Sequence, residues 1–172
     1  MIEVRTEKPE DLAAIREVQL QAFSPSLNEA CLVELLREAG KAPISLVALS
    51  DGQIVGHGLF SPVTIDPAPP GTLRGLGLAP IGVLPAFQRQ GMGKRLIEQG
   101  LQDCKRGGYD FVVVLGDPRY YARFGFARAK DYQLENEYGV DEPFRVLELR
   151  PGALRNVEGT VKYEPEFREA GC

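Results

Sequence analysis

The sequence predicts an α/β domain, and three features carry that prediction. The apolar run Leu76-Gly77-Leu78-Ala79-Pro80-Ile81-Gly82-Val83 passes through the loop Gln88-Arg89-Gln90-Gly91-Met92-Gly93 straight into Lys94-Arg95-Leu96-Ile97-Glu98-Gln99, a strand that becomes a helix. Phe111-Val112-Val113-Val114-Leu115 is continuously apolar, as a strand covered on both faces is. Upstream, apolar residues recur at helical spacing before Gly40 and in strand-like runs after it.

Each element follows in order. A short strand at 2–5 leads to Pro9, which suits a first helical turn, with Glu10 and Asp11 beside the positive end of the helix dipole. Leu12, Ile15, Val18 and Ala22 then mark one helical face. Ser24-Pro25-Ser26 precedes a second helix at 27–39, whose Leu32, Leu35, Leu36 and Ala39 repeat the period before Gly40 closes it. Residues 44–49 and 54–65 form a hairpin about Asp51-Gly52, a pair that readily takes the positive φ values of a two-residue turn. After a Pro-rich loop at 67–71 comes the central strand, 73–84. The helix at 91–105 puts Ile97, Leu101 and Cys104 on one side, which makes Cys104 a small core residue rather than a nucleophile. Beyond Phe126 the expected strands are 127–134 and 144–149, followed by a hairpin-like segment at 157–163 carrying Gly159. Pro80 contradicts a central strand because it cannot donate to the ladder. Either it ends one strand before another begins at Ile81, or it marks an opening, with Gly82 letting the strand bulge.

With 172 residues, 44% of them hydrophobic, the chain fits a single domain, 1–172, with a sizeable core and no internal repeats. A net charge of −4 gives no electrostatic footprint for nucleic acid, although Arg89, Lys94 and Arg95 form a local basic patch. Three cysteines far apart, one histidine and no Cys-x-x-Cys argue against structural zinc, any other metal site and a disulfide framework. Met1-Ile2-Glu3-Val4-Arg5 lacks a signal-peptide pattern and no apolar run approaches membrane-spanning length, so a cytoplasmic protein with no membrane partner is expected.

A strand that breaks at Pro85 and turns through two glycines into a helix gathers unpaired backbone N–H groups about one point, which is an anion site. Spacing decides which anion. A Walker A loop needs Gly at 88 and Ser or Thr at 95, where Gln88 and Arg95 stand, and a dinucleotide fingerprint needs Gly at 96, which is Leu96. The pattern Gln/Arg-x-x-Gly-x-Gly/Ala instead resembles the pyrophosphate loop of the GNAT superfamily of N-acetyltransferases. Further on, Val112-Val113-Val114-Leu115-Gly116-Asp117-Pro118-Arg119-Tyr120-Tyr121-Ala122-Arg123-Phe124-Gly125-Phe126 ends in Tyr-x-x-Phe-Gly-Phe, similar to the second GNAT signature. Val55-Gly56-His57-Gly58-Leu59-Phe60-Ser61-Pro62-Val63, Val83-Leu84-Pro85 and Leu147-Glu148-Leu149-Arg150-Pro151-Gly152-Ala153-Leu154 resemble one uncharacterised bacterial branch, so the likeness covers nearly the whole chain.

The resemblance implies the GNAT acyl-CoA N-acyltransferase fold, a mixed, mostly antiparallel sheet splayed between its fourth and fifth strands and flanked by helices. It implies acetyl-CoA as cosubstrate and a small-molecule or peptide amine as acceptor, and it admits a homodimer. Gln88, Arg89, Gln90, Gly91, Met92, Gly93 and Lys94 would then hold the pyrophosphate. Ile81, Gly82 and Val83 would meet the pantetheine arm, with the Val83 N–H as the oxyanion donor. Tyr121 matches the family's tyrosine facing the cofactor sulfur as general acid; its plain alternative is a core anchor, with Tyr120 next to it. Many members carry a glutamate on the fourth strand, where this chain has Ala79, Pro80 and Ile81. His57 is one candidate base, since its ordinary pKa near ~6.5 suits proton acceptance, and a hydrogen-bonded structural role is its alternative. Glu29, Asp117 and a water relay are the others, and Asp117 before Pro118 also suits a helix cap. A non-catalytic acyl-CoA-binding module and a binder of some other phosphate ligand are the competing functions.

Overall fold

The computed structural model describes residues 1–172. In chain order the strands and helices are β1 (Ile2–Thr6), α1 (Leu12–Ala22), α2 (Asn28–Glu38), β2 (Ile44–Ser50), β3 (Gln53–Asp66), β4 (Gly75–Val83), α3 (Met92–Arg106), β5 (Phe111–Leu115), α4 (Pro118–Ala122), β6 (Ala127–Arg128), β7 (Leu134–Asn136), β8 (Phe144–Glu148), β9 (Gly159–Tyr163) and α5 (Glu166–Glu169). They form two compact units, Met1–Ser61 with Ala79–Gly100 and Pro165–Cys172, and Pro62–Leu78 with Leu101–Glu164. β3, β4 and α3 each run through both.

In the first unit β1, β2 and β3 form an antiparallel ladder from Ile2↔Ser50 to Ile44↔Phe60. The turn between β2 and β3 is made by Asp51 at φ 47° and Gly52 at φ 84°, the two positive values a type I′ hairpin requires. β3 is covered on both faces and uses them differently. Phe60 looks onto α3, where a Cβ on Gly100 would stand 2.3 Å from its ring, so only glycine lets the helix approach. His57, one residue out of phase, looks onto α1. β4 continues unbroken through Pro80, so that proline does not end a strand. Gly82 serves close packing: a Cβ there would stand 2.9 Å from Ala22 Cβ of α1.

In the second unit Gly75, Leu76 and Gly77 of β4 pair in parallel with Phe111, Val112 and Val113 of β5, and the ladder ends there. β8 pairs antiparallel with β5 and β6, and β9 pairs antiparallel with the end of β3 and in parallel with β7. The core is Phe111, Phe144, Val112 to Val114 and Leu134, each at most 1% exposed. Burying each large side chain contributes about 1.5–3 kcal/mol.

Two expectations are corrected. Residues 127–134 are not one strand: β6 is two residues long, a 3-10 turn follows at Ala129–Tyr132, and Gln133 at φ 63° swings the chain into β7. The apolar residues there have a strand-like spacing, but pairing with β8 reaches only Ala127 and Arg128, and the chain turns away at Ala129. The short helix α5 has no counterpart in the sequence reading. Lys41 at 2.6 Å from Glu166 and the buried Phe167 hold it in place, contacts that local periodicity does not report.

Candidate active site

The strand-to-helix loop is built by local geometry. After Val83 the chain makes one 3-10 turn at Pro85–Phe87, and Arg89 at φ 61° and Gly91 at φ 87° then turn it into α3. Gln88 Nε2 donates to the Val83 carbonyl at 3.1 Å, tying the loop to the end of β4, and the Leu84 N–H donates to the Val55 carbonyl at 2.8 Å. Met92 at 2% exposure and Leu96 and Ile97 at 1% anchor the helix start in the core, while Gln88, Arg89, Gln90, Gly91 and Lys94 remain exposed. A Cβ on Gly91 would meet nothing within 4 Å. Gly91, just before α3, therefore faces open space beside exposed cations at a helix N-terminus, where an anion can approach the backbone. Ile81 and Val83 are half-buried and Gly82 is buried.

His57 occupies the interior of the same unit, at 0% exposure, where an amine arriving from solvent does not touch it. It belongs to a chain of hydrogen bonds whose direction is set by a carboxylate that only accepts. Glu7 accepts from Arg37 Nε at 2.8 Å and Nη2 at 3.0 Å, and from the Ser45 hydroxyl. With its proton committed to Glu7, Ser45 Oγ accepts from His57 Nε2 at 2.8 Å, which leaves Nδ1 to accept from Gln19 Nε2 at 2.8 Å. The relay ends at Gln19 Oε1, a buried acceptor without a partner, 3.2 Å from where a Cβ on Gly82 would stand. Sequence reading missed Glu7, Gln19 and Ser45, because they are ordinary residues at unrelated spacings. The lone histidine between Gly56 and Gly58 was the only signal.

Burial holds the His57 imidazole below its ordinary pKa, with Glu7 opposing in part. Burial would raise Glu7, but His57, Arg37 and Ser45 together bring it down to about 2. Both shifts act in the same direction on stability. The unfolded imidazole gains a proton near ~6.5 and the folded one only at lower pH, so stability is full above ~6.5 and falls below it by at most about 1.4 kcal/mol per pH unit. Glu7 adds a further loss below ~4.3, where only the unfolded carboxyl is protonated. Urea unfolding between pH 8 and 5 is expected to show a falling midpoint in the parent chain and a flatter one in His57→Gln. Equal slopes would show that His57 titrates alike in both states.

Tyr121 lies in the second unit on α4. The Asp117 side chain caps that helix by accepting from the Arg119 N–H at 2.9 Å, and Pro118 fills the first turn, so Asp117 has a structural task. The Tyr121 ring, 7% exposed, stands edge-on to Tyr120 at 5.1 Å and to Phe126 at 5.6 Å. Gly116 makes room for it, since a Cβ there would stand 2.3 Å from the ring. Burial, then Tyr120, pushes the phenol up to about 12, so it is neutral and a hydrogen-bond donor at physiological pH. Glu29, another carboxylate candidate, accepts from the Ser26 hydroxyl at 2.7 Å at the start of α2. Cys104 is fully buried, as a core residue. No helix is long and apolar enough to cross a membrane.

The profile of the acetyltransferase (GNAT) family matches residues 12–126. The uncharacterized N-acetyltransferase YhbS of Escherichia coli strain K12 is 37% identical over 166 residues, covering 95% of this chain and 97% of that protein. The uncharacterized N-acetyltransferase YjhQ of the same strain is 38% identical over 117 residues, covering 67% of this chain and 64% of YjhQ. The 1.55 Å crystal structure of E. coli YhbS in complex with CoA is similar with a TM-score of 0.90, covering 97% of this chain and 92% of that one at 37% identity. A GNAT family acetyltransferase from Brucella melitensis, in complex with acetyl-CoA, is similar with a TM-score of 0.80 at 38% identity, covering 97% and 98%. Family profile, full-length relatives and fold agree, and this chain belongs to the GNAT family of acetyltransferases.

Proposed function

We propose that this protein transfers the acetyl group of acetyl-CoA to a primary amine by direct attack in a ternary complex. The observation that carries the proposal is the loop at 88–94. Its glycine lies in the left-handed region, facing open space at the N-terminus of a firmly anchored helix, and two relatives of this fold at 37% and 38% identity hold CoA and acetyl-CoA. Gln88, Arg89, Gln90, Gly91, Met92, Gly93 and Lys94 take the pyrophosphate, mainly through backbone N–H groups. Ile81, Gly82 and Val83 take the pantetheine arm.

The chemistry is addition of a neutral amine to the thioester carbonyl, followed by loss of the thiolate. The Val83 N–H stabilises the oxyanion. Tyr121, kept protonated by a pKa of about 12, hydrogen-bonds the developing thiolate, and the proton given up by the amine balances the sulfur in free CoA. No carboxylate stands at Ala79, Pro80 or Ile81, so the amine proton leaves through water. His57 acts through Gln19 as a positioning residue. His57→Ala is then expected to lower the rate by roughly ten-fold at neutral and higher pH, where the buried imidazole is neutral and accepts from Gln19, with acetyl-CoA affinity nearly unchanged. An unchanged rate per folded molecule would return His57 to a purely structural role.

The test is a panel of acceptor amines, including polyamines, amino sugars and peptides with free N-termini or lysines, with purified protein and acetyl-CoA, read as release of free CoA. Amine-dependent release with a matching mass gain on the acceptor is expected. CoA binding without release from any amine would favour the non-catalytic acyl-CoA-binding function, and no CoA binding would remove both.

A further inference from the structure

Cys31 and Cys172 stand 141 positions apart in the sequence, yet the fold brings them to one place. Cys31 lies on α2 one turn beyond Asn28, on the same side of the helix. Asn28 is where the segment after α5 docks: its Nδ2 donates to the Gly171 carbonyl at 3.3 Å, and a Cβ on Gly171 would stand 3.0 Å from that nitrogen. Cys172 follows directly, its N–H held by the Phe167 carbonyl at 2.8 Å. Lys41 at 2.6 Å from Glu166 fixes α5 to the same unit. Cys31 is exposed, Cys172 is half-buried and both are free thiols. They are near enough for charge on Cys31 to be felt at Cys172, whose thiol is pushed up to about 11 by burial, Glu29 and Cys31. Cys104, fully buried with its thiol pushed up to about 12, takes no part.

We propose that Cys31 and Cys172 form a reversible dithiol–disulfide pair, an oxidation site that ties the segment after α5 to α2. This holds whether or not the acyl-transfer proposal does. The oxidant is a hydroperoxide. The exposed Cys31 thiolate attacks the peroxide oxygen, the O–O bond breaks, and Cys31 becomes a sulfenic acid as the alcohol, or water from hydrogen peroxide, departs. The Cys172 thiolate then attacks the Cys31 sulfur, the S–O bond breaks, and hydroxide leaves as water with the proton Cys172 lost. Two thiols and one hydroperoxide give one disulfide, one alcohol and one water; an added dithiol reverses the step. The raised pKa of Cys172 makes the second step the slower one at neutral pH and faster as pH rises.

The full chain, reduced and then treated with hydrogen peroxide, is expected to fall from three titratable thiols to one after denaturation. It is also expected to lose about 2 Da and to yield a proteolytic peptide pair joining Cys31 to Cys172. Dithiothreitol restores all three thiols. Cys104→Ser still cross-links, whereas Cys172→Ser accumulates a Cys31 sulfenic acid that dimedone traps. Three thiols surviving peroxide that oxidises a control dithiol peptide would overturn the proposal. So would Cys31 sulfinic acid without a cross-link in the parent chain, or a disulfide between two copies.

Discussion

Tyr121→Phe is expected to lower turnover on the order of 10²–10³-fold, as loss of one positioned donor to a developing charge does, while the protein folds normally. The substitution keeps the ring, so its edge-on contacts with Tyr120 and Phe126 and its fit over Gly116 persist. Only the hydroxyl is lost, and no hydrogen bond in the fold depends on it. In the proposed mechanism that hydroxyl meets charge that develops on sulfur as the thioester breaks, so acetyl-CoA affinity should move far less than the rate. Steady-state turnover with calorimetric acetyl-CoA affinity separates the two quantities, and a thermal melt confirms the fold. Tyr120→Phe is the neighbouring control: its ring lies under the Arg123 guanidinium at 4.8 Å, and its hydroxyl is expected to be dispensable. Full activity in the first variant with a large loss in the second would move the role to Tyr120. Full activity in both would remove it.

Gly91→Val is expected to abolish CoA binding. Two effects combine. At φ 87° a β-branched residue is strained by about 1–3 kcal/mol, which pulls the loop away from the conformation that aims the first N–H groups of α3 outward. The side chain would also project into the free space beside those groups, where the proposal places a phosphate. The fold should survive, because Gly91 is exposed and Met92, Leu96 and Ile97 still anchor the helix. Calorimetry on folded variant protein is the measurement, with Gly91→Ala expected to be weaker in the same direction. Near-wild-type affinity for CoA would take the pyrophosphate off this loop.

The elements that local pattern specifies were legible in the sequence. The hairpin about Asp51-Gly52 needs two positive φ values and has the residues that accept them, and the apolar run 111–115 reads as a strand covered on both faces, which it is from Phe111 to Val114, with Leu115 exposed at its end. The loop at 88–94 was legible because a strand, two glycines and a helix in immediate succession leave the chain few conformations. Residues 127–134 misled, since only Ala127 and Arg128 find a partner strand, in β8, and that pairing is set by residues 145 and 146 rather than by local spacing.

By itself, then, the sequence determined the family, the α/β order of elements and the strand-to-helix loop, because their signals lie in motifs of neighbouring residues. The tertiary structure alone decided that His57 is interior, hydrogen-bonded through Ser45 to Glu7 and on its other nitrogen to Gln19. It alone decided that Gly82 is small to admit α1 and that the segment carrying Cys172 docks on the helix that carries Cys31. Such pairings join residues from 12 to 143 positions apart. They exist only after burial has brought separate elements together, and nothing in the spacing of single residues along a chain encodes which distant polar groups will then find one another.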